Sequence, residues 1–142
     1  LDSSTLENVY FPEVSRVYLE EAVPIVKASL TNQLTWGNAI FYLRNTYFGK
    51  VTSPDIIDAN GDGIISPNEH QEITDKIITD VSLAYQLTKN IGLTVGVNNL
   101  FDIYPTKNLP ASSNNDQFIY SRSTSQFGQN GRFVFSRLNF NF

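Results

Sequence analysis

The chain has 142 residues, of which 41% are hydrophobic and 17% are charged, and this balance excludes an intrinsically disordered chain. Its formal charge is −4, and it lacks the clustered lysine and arginine that a nucleic-acid-binding surface needs. The absence of cysteine excludes disulfides, zinc–thiolate sites and cysteine nucleophiles.

Five stretches alternate apolar and polar residues, which is the pattern of a β-strand. We predict strands over residues 23–36, 39–51, 79–88, 91–98 and 132–142. The alternation is clearest in the third stretch, where Val81, Leu83 and Tyr85 are separated by Ser82 and Ala84. The second stretch carries apolar side chains on both faces, so its two faces are less distinct.

Short and long connections alternate between these strands. Gly37-Asn38 and Lys89-Asn90 predict tight turns, whereas residues 52–78 and 99–131 form long connections. Loops beyond about 12–15 residues are uncommon in compact soluble domains. Transmembrane β-barrels combine short periplasmic turns with long extracellular loops, and a tilted strand crosses the bilayer with about 9–11 residues. The pattern therefore favours barrel strands over a soluble antiparallel sandwich, whose strands also alternate but usually have about 5–6 residues.

Two motifs near the C-terminus resemble a known family. The first is VGVNNLFDIYP at residues 95–105, with Asn99, Leu100, Phe101, Asp102 and Tyr104 in an Asn-Leu-Phe-Asp-x-Tyr arrangement. The second is GRFVFSRLNFNF at residues 131–142, an alternating final strand that ends on Phe142. Together they resemble the C-terminal end of TonB-dependent outer-membrane receptors, and NTYFGKVT at residues 45–52 is similar to an earlier strand-to-loop passage of that family.

The resemblance implies an all-β, 22-stranded barrel in the bacterial outer membrane, with an N-terminal plug and import energised by TonB. It also implies that the barrel assembly machinery recognises the strand ending at Phe142. Five strands cannot close a barrel, because the smallest membrane examples use about eight. We therefore expect residues 23–142 to be the last five strands and loops of a longer polypeptide, and residues 1–22 to end a preceding extracellular loop.

Residues 58–69, DANGDGIISPNE, match a calcium-binding EF-hand loop, with Gly63 at the turn position. All six ligand positions are filled, by Asp58, Asn60, Asp62, Ile64 through its carbonyl, Ser66 and Glu69. Two other interpretations remain open, namely an acidic turn and a degenerate loop that no longer binds. A regulatory sensor is disfavoured, because the residues before the loop do not have a helical pattern. We interpret Ca²⁺ as a structural brace for an extracellular loop.

No catalytic machinery is indicated. His70 is the only histidine, and we interpret it as a solvated loop residue, so a histidine-dependent triad has little support. Lys27, Arg44 and Asp80 are expected to face a lumen or plug. Aromatic girdle positions are expected near the strand ends, at Trp36, Tyr47, Phe101, Tyr104 and Phe140.

The sequence thus predicts a transport segment for a small nutrient such as a siderophore, vitamin or oligosaccharide, and not an enzyme. Two alternatives remain open: a soluble calcium-stabilised β-module for adhesion or carbohydrate binding, and an outer-membrane barrel of another kind. The Asn99–Tyr104 stretch argues against the second of these.

Overall fold

A computed structural model of the chain describes residues 10–53, 61, 69–114, 117–124 and 126–142. It is mostly antiparallel β-sheet with one short α-helix among these residues. Its elements are α1 (Glu13–Glu20), β1 (Lys27–Trp36), β2 (Ala39–Phe48), β3 (Val51–Thr52), β4 (Glu72–Ile73), β5 (Lys76–Gln86), β6 (Ile91–Asn98), a 3₁₀ helix (Pro110–Ser113) and β7 (Phe133–Phe140). None of the helices in these ranges has the length and hydropathy that crossing a bilayer requires.

The chain forms two compact units, each built from three segments. Unit 1 comprises Leu1–Val26, Gly49–Asp75 and Pro105–Gln129, and unit 2 comprises Lys27–Phe48, Lys76–Tyr104 and Asn130–Phe142.

Unit 2 is a five-stranded antiparallel sheet with the strand order β1-β2-β5-β6-β7. The order confirms the predicted sequence of five strands. Trp36 pairs with Ala39 across the first tight turn, while Phe48 pairs with Lys76 and Asn98 with Phe133. The strand ends that lead into long connections therefore lie together at one end of the sheet, and the tight turns lie at the other.

The register places most apolar strand residues on one side of the sheet, because directly paired residues share a face and neighbours along a strand alternate. We name this side the apolar face. Its apolar members are Ala28, Leu30, Leu34, Trp36, Ala39, Phe41, Leu43, Tyr47, Ile77, Val81, Leu83, Tyr85, Ile91, Leu93, Val95, Val97, Val134, Leu138 and Phe140. The opposite side, the polar face, carries among others Lys27, Ser29, Thr31, Gln33, Arg44, Thr46, Asp80, Ser82, Thr94, Arg137 and Asn139.

The buried apolar side chains of the described residues do not come from the apolar face. They are Val17, Ala22, Phe48, Val51, Ile73 and Ile78, of which only Phe48 and Ile78 belong to the sheet, on its polar face. By contrast, Leu83 and Val95 at the centre of the apolar face are each 42% exposed.

Gly96 leaves room for the Phe135 ring of β7 on the polar face. A Cβ at this position would lie 2.5 Å from that ring and 2.8 Å from the Ser82 side chain. Phe135 packs over this gap and stacks on Phe133 with ring centroids 6.5 Å apart.

Unit 1 combines the buried apolar residues Val17, Ala22, Val51 and Ile73 with several buried polar contacts. The buried Gln71 side chain donates to the Lys107 carbonyl at 2.6 Å and accepts from the Leu109 N–H at 3.0 Å. The Ser53 and Ser121 hydroxyls lie 3.4 Å apart, and Thr124 donates to the Ala22 carbonyl. These buried polar groups are therefore paired within the protein, as buried polar groups in native structures normally are.

The predicted second strand is too long at its C-terminal end. β2 stops at Phe48, and Val51 pairs instead with Ile73 in the separate two-stranded sheet β3-β4. The break falls at Gly49, whose N–H donates to the Val26 carbonyl at 2.9 Å. A side chain there would also crowd that carbonyl, so glycine permits the close approach.

Candidate functional site

The apolar face carries exposed large side chains on every strand of the five-stranded sheet. Large side chains on all five strands are exposed there, namely Leu30, Leu34, Trp36, Phe41, Ile77, Leu83, Tyr85, Val95, Val134, Leu138 and Phe140. A shallow groove of about 260 Å³ at its centre is lined by Phe41, Val81, Ser82, Leu83, Val95, Gly96, Val97 and Val134. Contiguous exposed apolar patches of this kind mark surfaces that contact another apolar phase or a partner.

A few polar side chains interrupt the apolar face near the end with the long connections. Asn45 and Thr79 are register partners, and the Thr79 hydroxyl donates to the Asn45 amide oxygen at 2.8 Å. Thr79 is buried despite its position on this face. The pair therefore satisfies part of its own hydrogen-bonding capacity without water.

The aromatic residues that were predicted near strand ends do lie there. Trp36 ends β1 and is 85% exposed, Tyr47 is the next-to-last residue of β2, and Phe140 ends β7. Phe101 and Tyr104 follow β6 in the turn described below.

An ion pair joins two neighbouring strands on the polar face. Arg44 on β2 donates to Asp80 Oδ2 on β5 from Nε at 3.0 Å and from Nη2 at 2.6 Å. Asp80 Oδ1 also accepts from the backbone N–H of Asn99 at 2.9 Å. Asp80 is largely buried, and its carboxylate is held by partners on two other segments, β2 and the turn after β6. Sequence analysis placed both charges on the same face, but their pairing required the strand register.

The predicted family motif forms the turn that follows β6. The Asn99 amide donates to the Ile103 carbonyl at 2.7 Å and accepts from the Ile103 N–H at 2.8 Å. Leu100 N–H donates to the Thr79 carbonyl at 2.7 Å. Phe101 is exposed, and Asp102 Oδ1 accepts from the backbone N–H of Arg132 at 2.7 Å. The motif therefore brings together residues of β5, β6 and the start of β7.

Gly131 also belongs to this turn, and the sequence analysis did not predict a role for it. It has a φ of +66°, and a Cβ there would overlap the Tyr104 hydroxyl and lie 2.7 Å from Asp102 Oδ1. The available signal was a glycine directly before a predicted strand. Phe142, the predicted assembly signal, follows β7 and is fully exposed.

The predicted calcium ligands Asp58, Asn60, Asp62, Ile64 and Ser66 lie outside the described residues, as does the turn residue Gly63. Of the loop, Gly61 and Glu69 are described, and Gly61 has a φ of +77°. Within the described ranges, no group of three or more His, Cys, Asp or Glu residues is arranged to hold a metal ion. The calcium site stays a prediction.

His70 is not the solvated residue that we expected. Its side chain is only 9% exposed, and Nε2 lies 3.2 Å from Glu13 Oε1. Arg16 donates to the same carboxylate from Nε at 2.9 Å, and this hydrogen bond lowers the pKa of Glu13 below its ordinary value against the opposing effect of burial. The same bond raises the pKa of Arg16. The helix α1 brings Glu13 to His70, a contact that sequence spacing did not predict.

Comparison of the chain with protein-family models and with curated proteins finds no match.

Replacing Asp80 with alanine should destabilise the sheet by about 1.5–3 kcal/mol, because hydrogen bonds to a charged group are lost and the Asn99 N–H loses its acceptor. Denaturant unfolding in detergent micelles measures this loss. The control is Glu72→Ala, which removes the exposed partner of Lys50 at 2.6 Å and should change stability much less. Equal effects of the two variants would contradict the structural role of the Arg44–Asp80 pair.

Proposed function

We propose that this chain is the C-terminal barrel segment of an outer-membrane TonB-dependent receptor that imports a scarce nutrient into a bacterium. The observation that carries the proposal is the apolar face, which spans five strands, is exposed, and lies opposite a polar face. In this assignment the apolar face contacts membrane hydrocarbon and the polar face lines the barrel lumen, where Arg44 and Asp80 lie against water or a plug.

The energetics favour a second apolar phase next to this surface. A large aliphatic or aromatic side chain gains about 1.5–3 kcal/mol when it is fully removed from water. Many such side chains on the apolar face are exposed, so the sheet leaves a large part of this stabilisation unused unless hydrocarbon covers it. The lengths of three strands support the same assignment, since β1, β2 and β5 have 10, 10 and 11 residues, near the length with which a tilted strand crosses a bilayer. The strands β6 and β7 are shorter, with 8 residues each.

The edges of the sheet indicate which partner the segment needs. Within the described residues, β1 and β7 each pair on one side only. Lipid cannot satisfy the backbone groups of an open edge, so a membrane sheet must close. We assign the missing strands to further parts of the same polypeptide, which would also supply the plug and the segment that contacts TonB. The strand β7 would pair with the first barrel strand, and the barrel assembly machinery would recognise its end at Phe142.

The connections give the orientation. Tight turns lie at one end of the sheet and long connections at the other. Outer-membrane barrels place short turns in the periplasm and long loops outside. Residues 49–75 and 105–129 would therefore be extracellular, where a nutrient such as a siderophore, vitamin or oligosaccharide is first met.

The calcium loop fits this location. Its three aspartate and glutamate side chains at ligand positions, Asp58, Asp62 and Glu69, would repel one another without a cation. Ordering a long loop is entropically costly, and a bound ion offsets part of that cost. Extracellular sites of this type bind Ca²⁺ with dissociation constants of about 10⁻⁴–10⁻³ M. We assign Ca²⁺ as a structural brace of the loop.

Single cysteines test the assignment of the two faces, because the chain has no cysteine of its own. A nitroxide on Leu83→Cys should be accessible to oxygen and protected from a water-soluble nickel complex when the complete protein is in lipid bilayers. The control is Ala84→Cys, the next residue on the same strand and on the polar face, for which the opposite ranking is expected. Protection of both positions from the two reagents would place Leu83 in a protein core and contradict the proposal.

Titration calorimetry tests the calcium assignment. The complete wild-type protein should bind Ca²⁺ with a dissociation constant of about 10⁻⁴–10⁻³ M, and Asp62→Ala should abolish the binding because it removes a ligand carboxylate. Asp75→Ala, which removes an exposed acid outside the loop pattern, should leave binding unchanged. A wild-type protein that releases no heat, or an Asp62→Ala variant that binds normally, would refute the site.

A further inference from the structure

The turn after β6 is tied directly to the start of β7. Asp102 Oδ1 accepts a hydrogen bond from the backbone N–H of Arg132 at 2.7 Å, although the two residues are 30 positions apart in sequence. Arg132 immediately precedes β7. This contact therefore joins the two ends of the long connection at its base.

The turn holds its own shape through its side chains. The Asn99 amide makes hydrogen bonds with both backbone groups of Ile103. Asn99 and Asp102 have φ values of +52° and +58°, a region that asparagine and aspartate tolerate better than most residues. The conformation that points the Asp102 carboxylate at Arg132 is thus encoded locally.

The turn is also anchored to the neighbouring strand. The Asn99 N–H donates to Asp80 Oδ1 at 2.9 Å, and the Leu100 N–H donates to the Thr79 carbonyl at 2.7 Å. Both acceptors lie on β5, in the centre of the sheet. The position of the Asp102 carboxylate is therefore fixed relative to the sheet and not only to β6.

Gly131 provides the space for the chain to return to the sheet. Its positive φ disfavours other residues, and the Tyr104 hydroxyl and Asp102 Oδ1 occupy the volume that a Cβ would need. The start of β7 can reach the Asp102 carboxylate because no side chain stands between them.

We infer that residues 99–104 and Gly131 form a clamp that sets the register of β7 against β6. The alternation of apolar and polar residues already opposes a one-residue slip of β7, because that slip would turn Val134 and Leu138 from the apolar face to the polar face. A slip of two residues keeps every side chain on its own face, so the alternation does not oppose it. The long connection cannot prevent such a slip, because the entropy of closing a loop depends only weakly on its length. The clamp acts through hydrogen bonds between the turn, β5 and the residue before β7. The inference therefore holds whether or not the apolar face lies in lipid.

Register can be read from thiol cross-linking in the complete protein. Val97 and Val134 are register partners, so the double variant Val97→Cys/Val134→Cys should cross-link efficiently with a short bifunctional thiol reagent. Val97→Cys/Ser136→Cys reports a slip of two residues on the same face. Leu34→Cys/Phe41→Cys, a pair on β1 and β2, reports whether the rest of the sheet is formed.

Asp102→Gly removes the carboxylate but permits the positive φ, so it isolates the side chain's contribution. We expect it to lower the ratio of Val97–Val134 to Val97–Ser136 cross-linking by about tenfold or more, since a hydrogen bond to a charged acceptor is lost. Asp102→Asn keeps an acceptor oxygen and should restore much of the ratio. The Leu34–Phe41 cross-link should remain unchanged in both variants.

Gly131→Ala should lower the same ratio, whereas Gly37→Ala should not. Gly37 has a similar φ of +57° but open space around it, so it controls for backbone strain alone.

A flexible eight-residue insertion after Asn114, which is exposed in the long connection, should leave the cross-linking ratio unchanged. An unchanged ratio in Asp102→Gly, a loss of the Leu34–Phe41 cross-link in that variant, or a register shift caused by the insertion would each overturn the clamp.

Discussion

One constraint governs this molecule: a sheet whose strands alternate apolar and polar residues must cover its apolar side. In unit 2 the register brings most of the apolar strand positions to one side, and none of the buried apolar residues of the described chain is among them. The open edges at β1 and β7 impose a second requirement of the same kind, because unpaired backbone groups also need partners. Both requirements are met together when the sheet is part of a closed cylinder in hydrocarbon.

The contacts of charged side chains in unit 2 lie toward the end of the sheet where the long connections leave and re-enter it. Arg44 and Asp80 pair on the polar face, Asp80 also binds the Asn99 N–H, and Asp102 binds the N–H of Arg132. A strand that follows a long connection has little to guide it into register except its hydrophobic pattern and its first contacts. A charge-assisted hydrogen-bond chain at this end of the sheet supplies such contacts. The same stretch carries the resemblance to the receptor family, so its residues have a structural reason to occur together.

The strand pattern was largely predictable, because a period of two is a local property and Val81, Leu83, Val95 and Val97 express it without interruption. Features that depend on contacts between residues far apart in the sequence could not be predicted in this way. Val51 continues the alternation of β2 in sequence but pairs with Ile73, since the chain turns at Gly49.

The helix α1 is short and has no side-chain cap, and it is stabilised by the complete burial of Val17. No local sequence pattern predicts that burial. The prediction that His70 is solvated was wrong for the same reason, because its contact Glu13 lies far from it in the sequence. The calcium-loop pattern is complete in sequence, whereas its geometry lies largely outside the described residues.

The most direct test of the whole account is the behaviour of the isolated 142-residue chain in buffer and in detergent micelles, followed by sedimentation velocity and by hydrogen exchange of the strand amides. If the apolar face requires hydrocarbon and the edges require further strands, the chain in buffer will associate or remain unprotected, and protection of strand amides will depend on micelles. A monomer in plain buffer with cooperative unfolding and protected amides throughout β5 and β6 would contradict the account, because it would mean that the protein covers its own apolar face.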